Sequence, residues 1–132
     1  MIEKRKHVRL DVISDVVYAI ITEGDTRFRT ISKNISCGGL QVFLRELTPV
    51  QTVLNLEIYL PVDKKPIHAT GRVAWQETES DHNKGNLSTG LQFIEISDED
   101  KGKIANYVLD GVKRQRLDDK LSLWQKLKTL FS

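Results

Sequence analysis

Two short stretches of this 132-residue sequence carry side chains able to act together. The first is a basic run, Lys4-Arg5-Lys6-His7-Val8-Arg9, in which Arg5 and Arg9 stand four apart. A guanidinium is planar and permanently charged, and it grips an oxyanion through two parallel hydrogen bonds. Two such groups on one arm can each take a different part of a single ligand. The second stretch is Asn34-Ile35-Ser36-Cys37-Gly38-Gly39. Asn34 and Ser36 offer short polar side chains that bond a ligand or their own backbone. Gly38 and Gly39 permit positive φ and let another group come close to the main chain. Taken separately, the two stretches read as a solvated tail and an ordinary Asx-type turn.

Other reactive side chains do not assemble into a motif. Cys37 is the sole cysteine, so no intramolecular disulfide forms, and no base is paired with its thiol. His7, His68 and His82 lack metal-ligand spacing among themselves or with Cys37. No nucleophile–base pair or phosphate-cradling loop is present, so no enzyme and no cofactor is expected. Lys plus Arg number 20 against 18 for Asp plus Glu, a net charge of +2. That balance, with 7% aromatics, argues against a nucleic-acid surface and leaves a local anion site. No apolar run approaches the ~20 residues of a membrane span, and no apolar stretch follows the basic start as in a signal peptide. A cytoplasmic location is the expectation.

The elements that must hold these residues are short strands. Val16 to Ile21 is β-branched and aromatic and ends at Glu23-Gly24-Asp25, with Thr26 to Ser32 as its hairpin partner. Leu40, Val42 and Leu44 alternate with polar or outward positions, as do Leu54, Leu56, Ile58 and Leu60 before Pro61. Ile67, Ala69, Gly71, Val73 and Trp75 form another set, and Leu91 and Phe93 close the series. Period-two alternation gives each strand one buried and one outer face. Six such strands predict a small antiparallel β-barrel. Ser97-Asp98-Glu99-Asp100 then reads as a helix start, with Ser97 as N-cap and acids in the first turn. Ile104, Tyr107, Val108 and Val112 recur at helical spacing, as do Leu117, Leu121, Trp124, Leu127 and Phe131. Residues 98–131 are one helix or two, with Gly111 and Asp118-Asp119 as break points. The expected division is a flexible basic arm over 1–11, a barrel over 12–96 and a helical segment over 97–132.

In order and separation these segments resemble the PilZ family. Its hallmarks are Arg-x-x-x-Arg before the first strand and Asp/Asn-x-Ser-x-x-Gly entering a later one. Arg5 and Arg9 match the first; Asn34, Ser36 and Gly39 match the second. Gly71-Arg72-Val73-Ala74-Trp75 resembles the family's glycine-to-tryptophan strand, and Gly90-Leu91-Gln92-Phe93 its final strand. The resemblance implies a six-stranded PilZ-type barrel with a C-terminal helix that binds cyclic di-GMP. It implies ligand contacts at Arg5, Arg9, Asn34, Ser36 and Gly39, with Lys4, Cys37, Gly38 and Trp75 as further candidates. The bend would hold the guanine side of the ligand and Trp75 would stand near the rim. The implied role is a receptor that switches a protein partner in bacterial motility, biofilm or virulence signalling. The alternative is a ligand-independent adaptor for protein contact. The apolar stripe of the C-terminal segment suggests self-association or partner docking through that helix.

Overall fold

The computed structural model describes residues 10–11, 13–24, 26–61, 64–77 and 86–131, without the side chains of 118–124 and 126–131. Six strands follow one another: β1 (Ser14–Ile20), β2 (Phe28–Ile35), β3 (Gly39–Leu44), β4 (Val53–Tyr59), β5 (Ile67–Gln76) and β6 (Leu87–Ile96). All pairings are antiparallel, and the order β1-β2-β3-β6-β5-β4 closes into a barrel as β4 returns to β1. Closure leaves no unpaired edge.

The alternation in the sequence decides what fills the barrel. Val16, Leu40, Val42, Leu44, Leu54, Leu56, Ile58, Ile67, Val73 and Leu91 point inward and are buried. Tyr18 joins them and stacks on Phe28, with ring centroids 5.2 Å apart. Burial pushes the Tyr18 phenol above its ordinary pKa, against the opposing pull of Arg45.

One irregularity matters for the site. Ser32 pairs with Val42, but Asn34 pairs with Gln41, so Lys33 is an extra residue in β2. Such a bulge shifts side-chain parity by one. Ser32 lies in the interior, while Asn34 shares the outer face with Gln41. Ile35 then returns inward opposite Leu40 and is fully buried.

A single helix, α1 (Asp98–Phe131), follows β6. Ser97 caps it: the Asp100 N–H donates to Ser97 Oγ at 3.1 Å. The Asp100 carboxylate does not fold back on the cap. It accepts from the His68 N–H at 3.3 Å and faces Lys103 Nζ at 3.8 Å, tying the first turn to β5. Ile104 and Val108 are buried against the barrel, with Tyr107 and Val112 packed beside them.

The helix does not break at Gly111 or at Asp118-Asp119. Gly111 is instead a notch, because a Cβ there would lie 2.4 Å from Leu10 Cδ2. Leu10, assigned by its sequence position to the arm, is buried and belongs to the core. Beyond Val112 the helix runs on for about 28 Å at 1.5 Å per residue. Residues 113–117 of this stretch are exposed.

Candidate functional site

The bend between β2 and β3 is held by its own serine. The Ser36 N–H donates to the Gly39 carbonyl at 2.9 Å, and its hydroxyl reaches the same oxygen at 3.3 Å. The Gly38 N–H donates to Ser36 Oγ at 3.2 Å. One lone pair of the hydroxyl remains after these bonds. Outside the bend, the Phe93 N–H donates to the Gly38 carbonyl at 2.9 Å.

Gly39 is required by closeness rather than by φ. A Cβ there would sit 2.0 Å from the Leu91 carbonyl oxygen. Among the described residues positive φ occurs at Gly24 and Gln51, so the left-handed backbone expected of Gly38 and Gly39 is not used. Cys37 is half-buried against the core and its thiol is free.

The end of the arm reaches this bend. Leu10 and Ile35 exchange both backbone hydrogen bonds, at 3.0 and 3.1 Å. Ile35 stands between Asn34 and Ser36, so the residue that follows Arg9 in sequence is bonded to the centre of the second motif. Lys4, Arg5 and Arg9 themselves lie outside the described residues, as do His7 and His82.

From the bend a polar network crosses the outer face. The Asn34 Nδ2 donates to Gln41 Oε1 at 3.0 Å, and Gln41 Nε2 donates to the Ser88 hydroxyl. Besides that bond Asn34 has a second N–H and a carbonyl oxygen to offer. Register continues the row: Gln41 faces Gly90, and Gly90 faces Trp75. A second bulge, between Val73 and Trp75, turns the indole onto this face. The ring presses against bare backbone, since a Cβ on Gly90 would lie 2.1 Å from Trp75 Nε1. Trp75 is 43% exposed, so part of its surface stays available to a ligand. Three strand spacings separate Asn34 from Trp75, roughly 14 Å.

A neighbouring row joins Gly39, Gln92 and Arg72. Arg72 donates through Nε and a terminal nitrogen to Gln92 Oε1, at 3.2 and 3.0 Å. The sequence motifs singled out neither Gln41 nor Ser88, and held Gln92 only as part of the Gly90-Leu91-Gln92-Phe93 strand. The signal that could have found them is parity: each is an outward position on a strand adjacent to the bend.

Two clefts lie elsewhere. One of about 650 Å³ runs over β1, β4, β5 and the end of β6 and includes Arg27, Asn55, Glu57, His68, Thr70 and Glu95. The other, about 450 Å³, lies in the seam between barrel and helix beside Leu10, Tyr107, Gly111 and Arg114. No group of three metal-ligating side chains occurs among the described residues. No described helix is long and apolar enough to cross a membrane.

The PilZ domain family matches residues 3–110 of the sequence. The chain belongs to the PilZ family. No curated protein matches it. Among solved structures, the Bacillus subtilis inhibitor of motility MotI/DgrA is similar at 26% identity and TM-score 0.69, covering 89% of this chain and 53% of its own. The PilZ domain of Escherichia coli YcgR with c-di-GMP is similar at 10% identity and TM-score 0.63, covering 89% and 98%. The K. pneumonia MrkH–c-di-GMP complex is similar at 13% identity and TM-score 0.67, covering 89% and 56%. The PilZ chain thus spans about half the length of MotI and MrkH and nearly all of the isolated YcgR domain.

Proposed function

We propose that this PilZ chain is a non-catalytic receptor for cyclic di-GMP. The observation that carries the proposal is the bridge between Leu10 and Ile35, which brings the chain directly after Arg9 against the Asn34–Gly39 bend. Arg5 and Arg9 take the phosphates or a guanine edge, with Lys4 beside them. Asn34, with a donor and an acceptor to spare, takes a guanine together with Ser36 and Gly39. Cys37, Gly38 and Trp75 complete the rim. Family membership and the c-di-GMP-bound neighbours support the choice of ligand.

Ligand engages the arm over 1–11, the barrel over 12–96 is the frame and the helix over 97–132 the output. Leu10 supports that division of labour, since it bonds the bend on one side and fills the Gly111 notch of α1 on the other. Ligand that orders the arm also biases the seat of the helix, to the extent that its affinity differs between the two arrangements. A cytoplasmic protein partner, or a second copy, then reads the helix beyond Val112.

Calorimetric titration with cyclic di-GMP tests this. Arg5→Ala and Arg9→Ala should each weaken binding at least tenfold, that is about 1.4 kcal/mol or more. Unchanged affinity in both variants rules the site out. The second reading, a ligand-blind adaptor, is favoured by the long helix overhang. Wild-type protein that shows no heat of binding would establish it in place of the receptor.

A further inference from the structure

Arg72 lies outside both sequence motifs, yet the barrel places it beside the bend. Its neighbour across β6 is Gln92, whose neighbour in turn is Gly39. Two strand spacings, roughly 10 Å, separate Arg72 from Gly39. Val73 and Gly71 on either side point inward and are buried, so the Arg72 side chain projects from the outer face.

Outward positions of β3, β6 and β5 form a small lattice. One row is Gly39, Gln92 and Arg72; the next is Gln41, Gly90 and Trp75. The two glycines lie on a diagonal, so a flat group resting here meets side chains around it and backbone beneath it. The indole of Trp75 occupies the space over Gly90. Around Gly39 stand Gln41, Gln92 and Arg72, and its own Cβ direction is closed by the Leu91 carbonyl oxygen at 2.0 Å.

Arg72 is aimed before any ligand arrives. Gln92 Oε1 accepts from Nε and one terminal nitrogen, which fixes the plane of the guanidinium. The outward fork of the two terminal nitrogens keeps its remaining N–H groups. A fork of that kind matches the O6/N7 edge of guanine, which presents two acceptors side by side. A phosphate needs the charge but not the plane.

We infer that Arg72, oriented by Gln92, is a guanine-reading residue of this face and takes the O6/N7 edge of one base of cyclic di-GMP. The inference rests on the receptor reading of the same site. Gln92 acts as a positioning residue, and the pair supplies the side of the ligand opposite Asn34.

Titration with cyclic di-GMP of wild-type protein, Arg72→Ala, Arg72→Lys and Gln92→Leu decides it. Arg72→Ala should bind at least tenfold more weakly, with a melting temperature close to wild type. Arg72→Lys should be equally weak, because lysine keeps the charge but loses the planar fork. Gln92→Leu should lose about threefold, as the guanidinium is no longer held in plane. Wild-type affinity in Arg72→Ala overturns the assignment, and wild-type affinity in Arg72→Lys reduces the contact to charge and overturns the guanine edge. Should Arg72→Ala fail to fold, Arg72→Lys and Gln92→Leu still separate a guanine contact from none. Absence of binding by wild-type protein overturns the receptor reading first and the Arg72 role with it, whereas normal binding by every variant overturns the Arg72 role alone.

Discussion

The barrel has two outer surfaces of opposite character. Over β2, β3, β6 and the far part of β5 lie amides, hydroxyls, an indole and a guanidinium: Asn34, Gln41, Ser88, Gln92, Trp75 and Arg72. Over β1, β4, the near part of β5 and the end of β6 lie Glu57 and Glu95, with Arg27 paired to Glu57 and the Tyr59 hydroxyl donating to the same carboxylate at 3.0 Å. The second surface holds a hollow of about 650 Å³. It is the worse place for a ligand with two phosphates, because carboxylates repel it and the cation there is already engaged. A hollow by itself does not choose the side of this small barrel; the chemistry of its lining does. Strand β5 serves both, His68 and Thr70 on one side and Arg72 and Trp75 on the other.

The sharpest way to break the contrast is Gly39→Ala. The added carbon meets backbone rather than a movable side chain, at 2.0 Å from the Leu91 carbonyl oxygen. We expect a loss of about 3 kcal/mol in stability, measured by urea unfolding. A stable variant would show that β3 and β6 need not approach so closely beneath the polar face.

Gly111→Ala should have a smaller effect. Alanine favours a helix over glycine by about 1 kcal/mol, but here it collides with the Leu10 side chain. The expected balance is a loss of about 1 kcal/mol with weakened ligand affinity, read by thermal melts and calorimetry. A gain in stability would mean that the helix carries no link to the polar face.

Between the faces, the Tyr18 phenol is raised above its ordinary value of 10.0 by burial, and the Tyr107 phenol at the helix seam by the same cause. The folded chain therefore keeps these protons to higher pH than the unfolded chain. Their stabilisation is complete below about pH 10 and is lost as pH rises through the folded-state values. Tyr18→Phe should flatten that alkaline decline in denaturation curves; an unaltered slope would place its origin elsewhere.

Glu57→Gln is the control for the opposite face. Cyclic di-GMP affinity should stay within about twofold of wild type, since the change alters charge far from the bend. A marked gain in affinity would move the ligand to the carboxylate side.

Much of this was legible from residue order. Alternation is a local property, so the inward set of each strand could be read directly as far as Val73 on β5, where a bulge sends Trp75 outward, and so could the Ser97 cap. Six strands and a C-terminal helix followed from it. Bulges are not local in that sense. Nothing in Ser32-Lys33-Asn34 announces that Lys33 is unpaired, yet that residue decides that Asn34 faces outward. Gly111 misled for a related reason: glycine weakens a helix intrinsically, but a packing partner from the other end of the chain outweighs the preference.

Residue order was enough to name most of the buried set, though not Leu10, together with the segments that become strands and the two motifs of a PilZ domain. It took the folded barrel to bond Leu10 to the bend and seat it against α1, and to bring Arg72, Gln92, Gly39 and Trp75 onto one face. Periodicity encodes the direction of a side chain relative to its own strand. Register, bulges and the closing order of strands are cooperative outcomes of the whole barrel, and they alone decide which outward residues become neighbours.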